Sequence, residues 1–100
     1  MTEFSLPALT RPRLPLGQLL ATPAAIAALS EASVSAHLLL NRHARGDWGD
    51  LSSEDQAMNQ LAVLTGQRVV SHYTLPNGQV VWVITDADRA ATTVLLPEDY

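Results

Sequence analysis

Past residue 13 the spacing of apolar residues changes from helical to alternating, and the change divides the chain into elements. Residues 1–13 hold Pro7 and Pro12 without any period and read as an N-terminal arm. Leu14 to Ala21 reads as a short extended segment laid on the core. Thr22-Pro23 is a helix start, with the Thr22 hydroxyl as N-cap and Pro23 at the first helical position. The Ala-rich helix that follows runs to about Ala32 and is expected to bury Ile26 and Leu29. Ser35 caps a second helix, with Val34 stapled against Leu39. Leu38, Leu39 and Leu40 are too continuous for a one-sided helix, so this one is expected to be well buried. Gly46 ends it. A third helix starts at Ser52 or Ser53, and the second choice forms an S-x-x-Q capping box with Gln56. Met58, Leu61, Ala62 and Thr65 then share one face, and Gly66 terminates the helix.

Two runs rich in β-branched and aromatic residues follow, RVVSHYTL and QVVWVIT, separated by Pro76-Asn77-Gly78. Proline cannot donate the ladder hydrogen bond that a two-residue Asn-Gly turn would ask of it. The turn is therefore a three-residue loop, with Pro76 and Asn77 in a type I turn and Gly78 in the left-handed bulge position. That register sets Leu75 against Gln79, His72 against Trp82 and Arg68 against Asp86. One face then carries Val70, His72, Val80, Trp82 and Ile84. A third strand from about Ala91 to Leu96 completes a meander after the Asp86–Arg89 turn. The expected fold is one α+β domain over residues 14–100, a three-stranded antiparallel meander packed with about three helices.

A chain of 100 residues builds one modest core, and 47% hydrophobic against 16% charged residues is a folding composition. The net charge is −4 and all six basic residues are arginines, which argues against non-specific duplex DNA binding. There is no cysteine, so disulfides, thiolate zinc sites and cysteine nucleophiles are excluded together. No apolar run reaches the roughly 20 residues of a spanning helix. The segment LPLGQLLATPAAIAAL is interrupted by Pro15, Gly17, Gln18 and Pro23, unlike a signal peptide. The expectation is a cytoplasmic protein with no membrane partner.

Candidate chemistry concentrates in RHARGDWGDLSSED, Arg42 to Asp55. Arg42, His43 and Arg45 fall in the last helical turn, where cations complement free carbonyls. His43 also stands beside the glycine-flanked loop and is a candidate functional group, able to form an acid–base pair with Asp47. Asp47 and Asp50, with Glu54 or Asp55, offer oxygens for a hard cation, although the spacing is not that of an EF-hand. They serve equally as N-cap and turn acceptors, and no cofactor or resident metal is expected. Asp47 is expected to pair with Arg89 or Arg42. Trp48 has two readings: an exposed anchor for a partner, or a plug that closes the core. His37 and His72 read as structural.

The segments RHARGDWGDLSSEDQAMNQLAVLTGQRVVSHY and VWVITDADRAATTVLLPEDY, with LPLGQLLATPAAIAAL upstream, resemble a family of small bacterial proteins carried by plasmids and integrative elements. The resemblance implies a mobile-element context and a shared pattern of Arg42, His43, Gly46, Asp47, Trp48, Asp50, Asp55, Asn59, Trp82, Arg89 and Thr93. It implies no activity; some such proteins carry a restriction-subunit label, but this chain is too short for a restriction methyltransferase. The leading expectation is a non-enzymatic accessory protein that binds another macromolecule, a protein by preference, through the His43–Asp55 region. The runner-up is a small metal-assisted hydrolase using His43 with Asp47, Asp50 and Asp55.

Overall fold

Thr22 accepts from the backbone N–H of Ala25, Ser35 from that of His37 and Ser52 from that of Asp55, so side-chain oxygens start all three helices. The computed structural model describes residues 14–100, and the arm expected over 1–13 lies outside the described residues. The elements are β1 (Gln18–Ala21), α1 (Pro23–Ala32), α2 (Ala36–Ala44), α3 (Ser53–Thr65), β2 (Val69–Thr74), β3 (Val80–Thr85), β4 (Ala91–Leu95) and a 3-10 turn at Pro97–Asp99. They form a single α+β domain. Choosing Ser52 as cap of α3 leaves the expected Ser53–Gln56 box unformed; the Gln56 amide donates instead to the Leu51 carbonyl.

The hairpin follows its turn chemistry. Gly78 has φ +89, its N–H reaches the Leu75 carbonyl, and the Leu75 N–H reaches Gln79. His72 faces Trp82 across β2 and β3, and β4 continues the meander antiparallel to β3. The sheet nonetheless has four strands in the order β1-β4-β3-β2. The extended segment before Thr22 pairs in parallel with β4, Leu20 opposite Thr93, and turns a meander into a mixed sheet. No alternation announces β1, because its four residues are all exposed and its partner lies at the far end of the chain.

The face carrying Val69, Ser71, Tyr73, Val81, Val83, Thr85, Thr92 and Val94 is buried under α1 and α2. From α1 come Ala25, Ala28 and Leu29, whose small residues let the helix lie close; Ile26 points outward, contrary to expectation. From α2 come Leu39, Leu40, His43 and Ala44, while Leu38 and His37 are exposed. The unbroken leucine run is thus one-sided after all. On the opposite face His72 stacks on Trp82 with ring centroids 4.8 Å apart, and Tyr100 meets Trp82 edge-on at 5.6 Å.

α3 lies against the edge strand β2 and directs Asn59 and Ala62 inward. Met58, Leu61 and Thr65, expected on one face with Ala62, remain exposed. The Asn59 amide explains this rotation. Its Oδ1 accepts from the Val70 N–H at 3.3 Å and its Nδ2 donates to the Val70 carbonyl at 2.7 Å. Turning Met58 and Leu61 inward would withdraw Asn59 and leave both groups of Val70 without these partners.

Candidate functional site

The Arg42–Asp55 stretch links α2 to α3 by running along the outer edge of β2. β2 turns the N–H and C=O of alternate residues toward that edge, and each needs a partner. Beyond Val70, the His72 N–H donates to the Trp48 carbonyl at 3.1 Å, and the His72 carbonyl accepts from Asp50 N at 2.7 Å. The Thr74 N–H donates to the Asp50 carboxylate at 3.0 Å. Gly49 forms a parallel bridge with His72. The loop acts as an extra strand one residue wide.

Asp47 and Asp50 are therefore occupied. Arg42 grips Asp47 with two hydrogen bonds of 2.7 and 3.2 Å, the alternative of the two expected arginines, and lies 4.6 Å over the Tyr73 ring. The Arg42 bond holds the Asp47 carboxyl below the ordinary carboxylate range, and bonding from Thr74 does the same for Asp50. Tyr73 donates to the Asp47 backbone carbonyl at 2.6 Å, and burial pushes its hydroxyl up to about 12. Arg89, in a left-handed conformation at φ +61, does not reach the aspartates. Its guanidinium donates to the Ala62 and Gln67 carbonyls and so caps the end of α3. Gly46 follows the end of α2 with φ +87. Asp55 is exposed in the first turn of α3, where a negative charge suits the helix dipole. Thr93 sits mid-strand opposite Ile84.

His43 and Trp48 depart furthest from expectation. His43 is 0% exposed, its ring held by Ser71 Oγ at 2.6 Å and Thr85 Oγ1 at 2.9 Å. Thr85 Oγ1 meets Thr92 Oγ1 at 2.7 Å, and Thr92 donates to the Leu16 carbonyl at 2.7 Å. That last bond orders the others. Thr92 spends its proton on Leu16, so Thr85 must donate to Thr92, and Nε2 of His43 must carry the hydrogen it gives to Thr85. With burial disfavouring the charged ring, Nδ1 then accepts from Ser71, and the network is satisfied by a neutral imidazole. No acid–base pair with Asp47 forms. Trp48 is 3% exposed and packs edge-on to His43, with centroids 5.7 Å apart. The plug reading holds, with the difference that its indole N–H has no hydrogen-bond partner among the described residues.

Burial lowers the His43 pKa from 6.5 to about 4. The unfolded chain therefore binds a proton more readily than the folded one. Its contribution is whole above pH 6.5, falls as pH drops toward 4, and levels off below that. The expected loss is roughly 3 kcal/mol across this window, at 1.36 kcal/mol per pH unit. Denaturant melts between pH 7 and pH 4 test it; an unchanged midpoint would show that His43 is not held neutral.

Of the expected site residues, Arg42, Asp47, Trp48, Asp50 and Asn59 gather along the β2 edge, which they close, whereas His43 lies in the core and Asp55, Arg89 and Thr93 lie apart. Among the described residues, no three His, Cys, Asp or Glu side chains are grouped closely enough to hold a metal ion. Sequence reasoning passed over Ser71 and Thr85, though they stood out as small hydroxyls at inward positions among valines. It also passed over Leu64, which is 84% exposed on α3 beside Met58 at 65% and Leu61 at 56%. Among the described residues no single helix is long and apolar enough to cross a membrane. No family model, curated protein or solved structure matches the chain.

Proposed function

We propose that the chain is a non-enzymatic interaction module that docks another protein through the outer face of α3. The observation that carries this reading is the exposed Met58–Leu61–Leu64 stripe on a helix whose inward contacts are Asn59 and Ala62. Three large apolar side chains in sequence along one helix form a contiguous patch, and such patches mark contact surfaces. Grooves flank it: one of about 500 Å³ lined by Trp48, Gln60, Val63 and Leu64, and one of about 370 Å³ reaching from Met58 to Arg68. A helix or loop of a partner could seat apolar side chains in either. The docking surface is thus moved from the Arg42–Asp55 loop, whose polar groups are committed to β2, to the helix that this loop leads into. In the setting the sequence resemblance implies, a bacterial mobile element, the partner would be a protein of that element or its host.

A photo-crosslinking residue at Leu64, compared with one at the exposed Leu38 of α2, tests the reading in cells. A defined protein adduct is expected from Leu64 alone and should be lost when Leu61 is replaced by Glu. Equal adducts at both positions, or none at Leu64, would count against docking through α3.

A further inference from the structure

We infer that the groove between Trp48 and α3 is filled by this chain's own residues 1–13, the segment MTEFSLPALTRPR. The argument starts from Leu14, where that segment joins the domain. Leu14 is 1% exposed and packs in one cluster with Trp48, Ala62 and Val63. Trp48 and Val63 also line the groove of about 500 Å³, together with Gln60 and Leu64. Residue 13 is therefore one peptide bond from the wall of the groove. The Leu14 N–H donates to the Ala44 carbonyl, so the Arg13–Leu14 peptide lies at the negative end of α2, where a cation is favoured.

The groove asks for an apolar occupant that also brings a hydrogen-bond acceptor. Tryptophan, valine and leucine make up most of its lining, and the buried Trp48 indole N–H has no partner among the described residues. Residues 1–13 answer both demands. Phe4, Leu6 and Leu9 supply apolar side chains, and any backbone carbonyl of the segment can accept from the indole. Pro7 and Pro12 carry no N–H, so they enter an apolar groove without leaving a donor unmet. Proline-bearing segments dock in aromatic-lined grooves in this manner. Five residues separate Leu9 from Leu14, a reach of up to ~17 Å against the roughly 20 Å that α3 spans. A segment joined directly to its site is present at an effective concentration in the millimolar range, so weak contacts suffice to hold it there. The inference does not depend on the docking reading: a partner meets the Met58–Leu61 crest of α3, and residues 1–13 lie in the cleft on its Trp48 side.

The test is NMR of the full chain. Protons of residues 4–9 should show through-space contacts to the Trp48 indole, whose N–H should be protected from solvent exchange. Phe4→Asp, Leu6→Asp and Leu9→Asp combined in one chain should shift that resonance and speed its exchange ~10-fold or more, while the signals of the β2–β3 hairpin stay in place. Because the chain has no cysteine, disulfide capture offers a second readout that does not rely on the triple variant. Leu9→Cys with Gln60→Cys should close an intramolecular disulfide on mild oxidation ~10-fold faster than Leu9→Cys with Asn77→Cys, whose partner sits at the hairpin tip. Trp48 without contacts to residues 1–13 overturns the inference, as do unchanged indole exchange in a triple variant that keeps its hairpin signals and equal disulfide rates at Gln60 and Asn77. Contacts that vanish on dilution, or a disulfide that forms only between chains, would place the segment of a second copy in the groove and overturn it as well.

Discussion

Trp48→Ala is expected to lower the melting temperature by more than ~15 °C, since a domain of this size loses roughly 4–8 °C per kcal/mol. Truncating a buried tryptophan costs roughly 3–5 kcal/mol, and this one lies between Leu14, Ala62 and Val69 with its edge against His43. The loss is one of packing. Among the described residues its indole N–H has no hydrogen-bond partner, so no such bond is broken. Trp48→Phe separates the contributions: it shrinks the side chain but removes a buried donor without a partner among the described residues, which costs about 1–3 kcal/mol when unmet. Phenylalanine should therefore melt much closer to wild type than alanine does. An alanine variant within a few degrees of wild type would return Trp48 to the role of a surface anchor.

Gly49→Ala should be as damaging, at about 4 kcal/mol, although it adds only a methyl group. Gly49 has φ +76, and a Cβ there would stand 2.0 Å from the His72 carbonyl oxygen and 2.7 Å from a Tyr73 ring carbon. The contact is with backbone, so no side chain can swing aside. Relief means lifting the loop from β2, which breaks the hydrogen bonds from His72 to Trp48 and from Asp50 to His72. Gly78→Ala is the internal control. Its φ is +89 but nothing lies within 4 Å of the added carbon, so only the conformational cost of about 1 kcal/mol applies. Chemical denaturation of the two variants compares them directly; equal losses would mean that close approach of the loop contributes nothing.

These contrasts show which parts of the fold were legible beforehand. Caps at Thr22 and Ser35 and the Gly78 hairpin depend on neighbours within a few residues, and their chemistry is written locally. The orientation of α3 was not legible, because it is set by the Asn59 amide meeting Val70 across a turn, against the apolar pattern of Met58 and Leu61. β1 was expected as an extended segment, but its place in the sheet was missed because its pairing with β4 is a long-range event with no local period. At the candidate site the Asp47–Arg42 pair was anticipated from charge and spacing. His43 misled for a physical reason: a histidine among arginines and aspartates reads as solvated, yet the helix register sends it to the sheet while its neighbours face water. Its partners Ser71 and Thr85, and Thr92 beyond Thr85, come from three different strands, so only the assembled sheet brings them together.

Closing one side of the sheet has a further consequence, best expressed as valence. Among the described residues β1 pairs only with β4 and all four of its residues are exposed, while β2 is sealed at Val70, His72 and Thr74. A unit with one sticky margin can join one neighbour and then stops, whereas a unit with two can add neighbours without limit, as fibrils do. The Trp48–Asp50 segment therefore works as a chain terminator for edge-to-edge growth. Detaching it would raise the valence from one to two, so local opening of that segment, well short of global unfolding, is where polymerisation of this protein would begin.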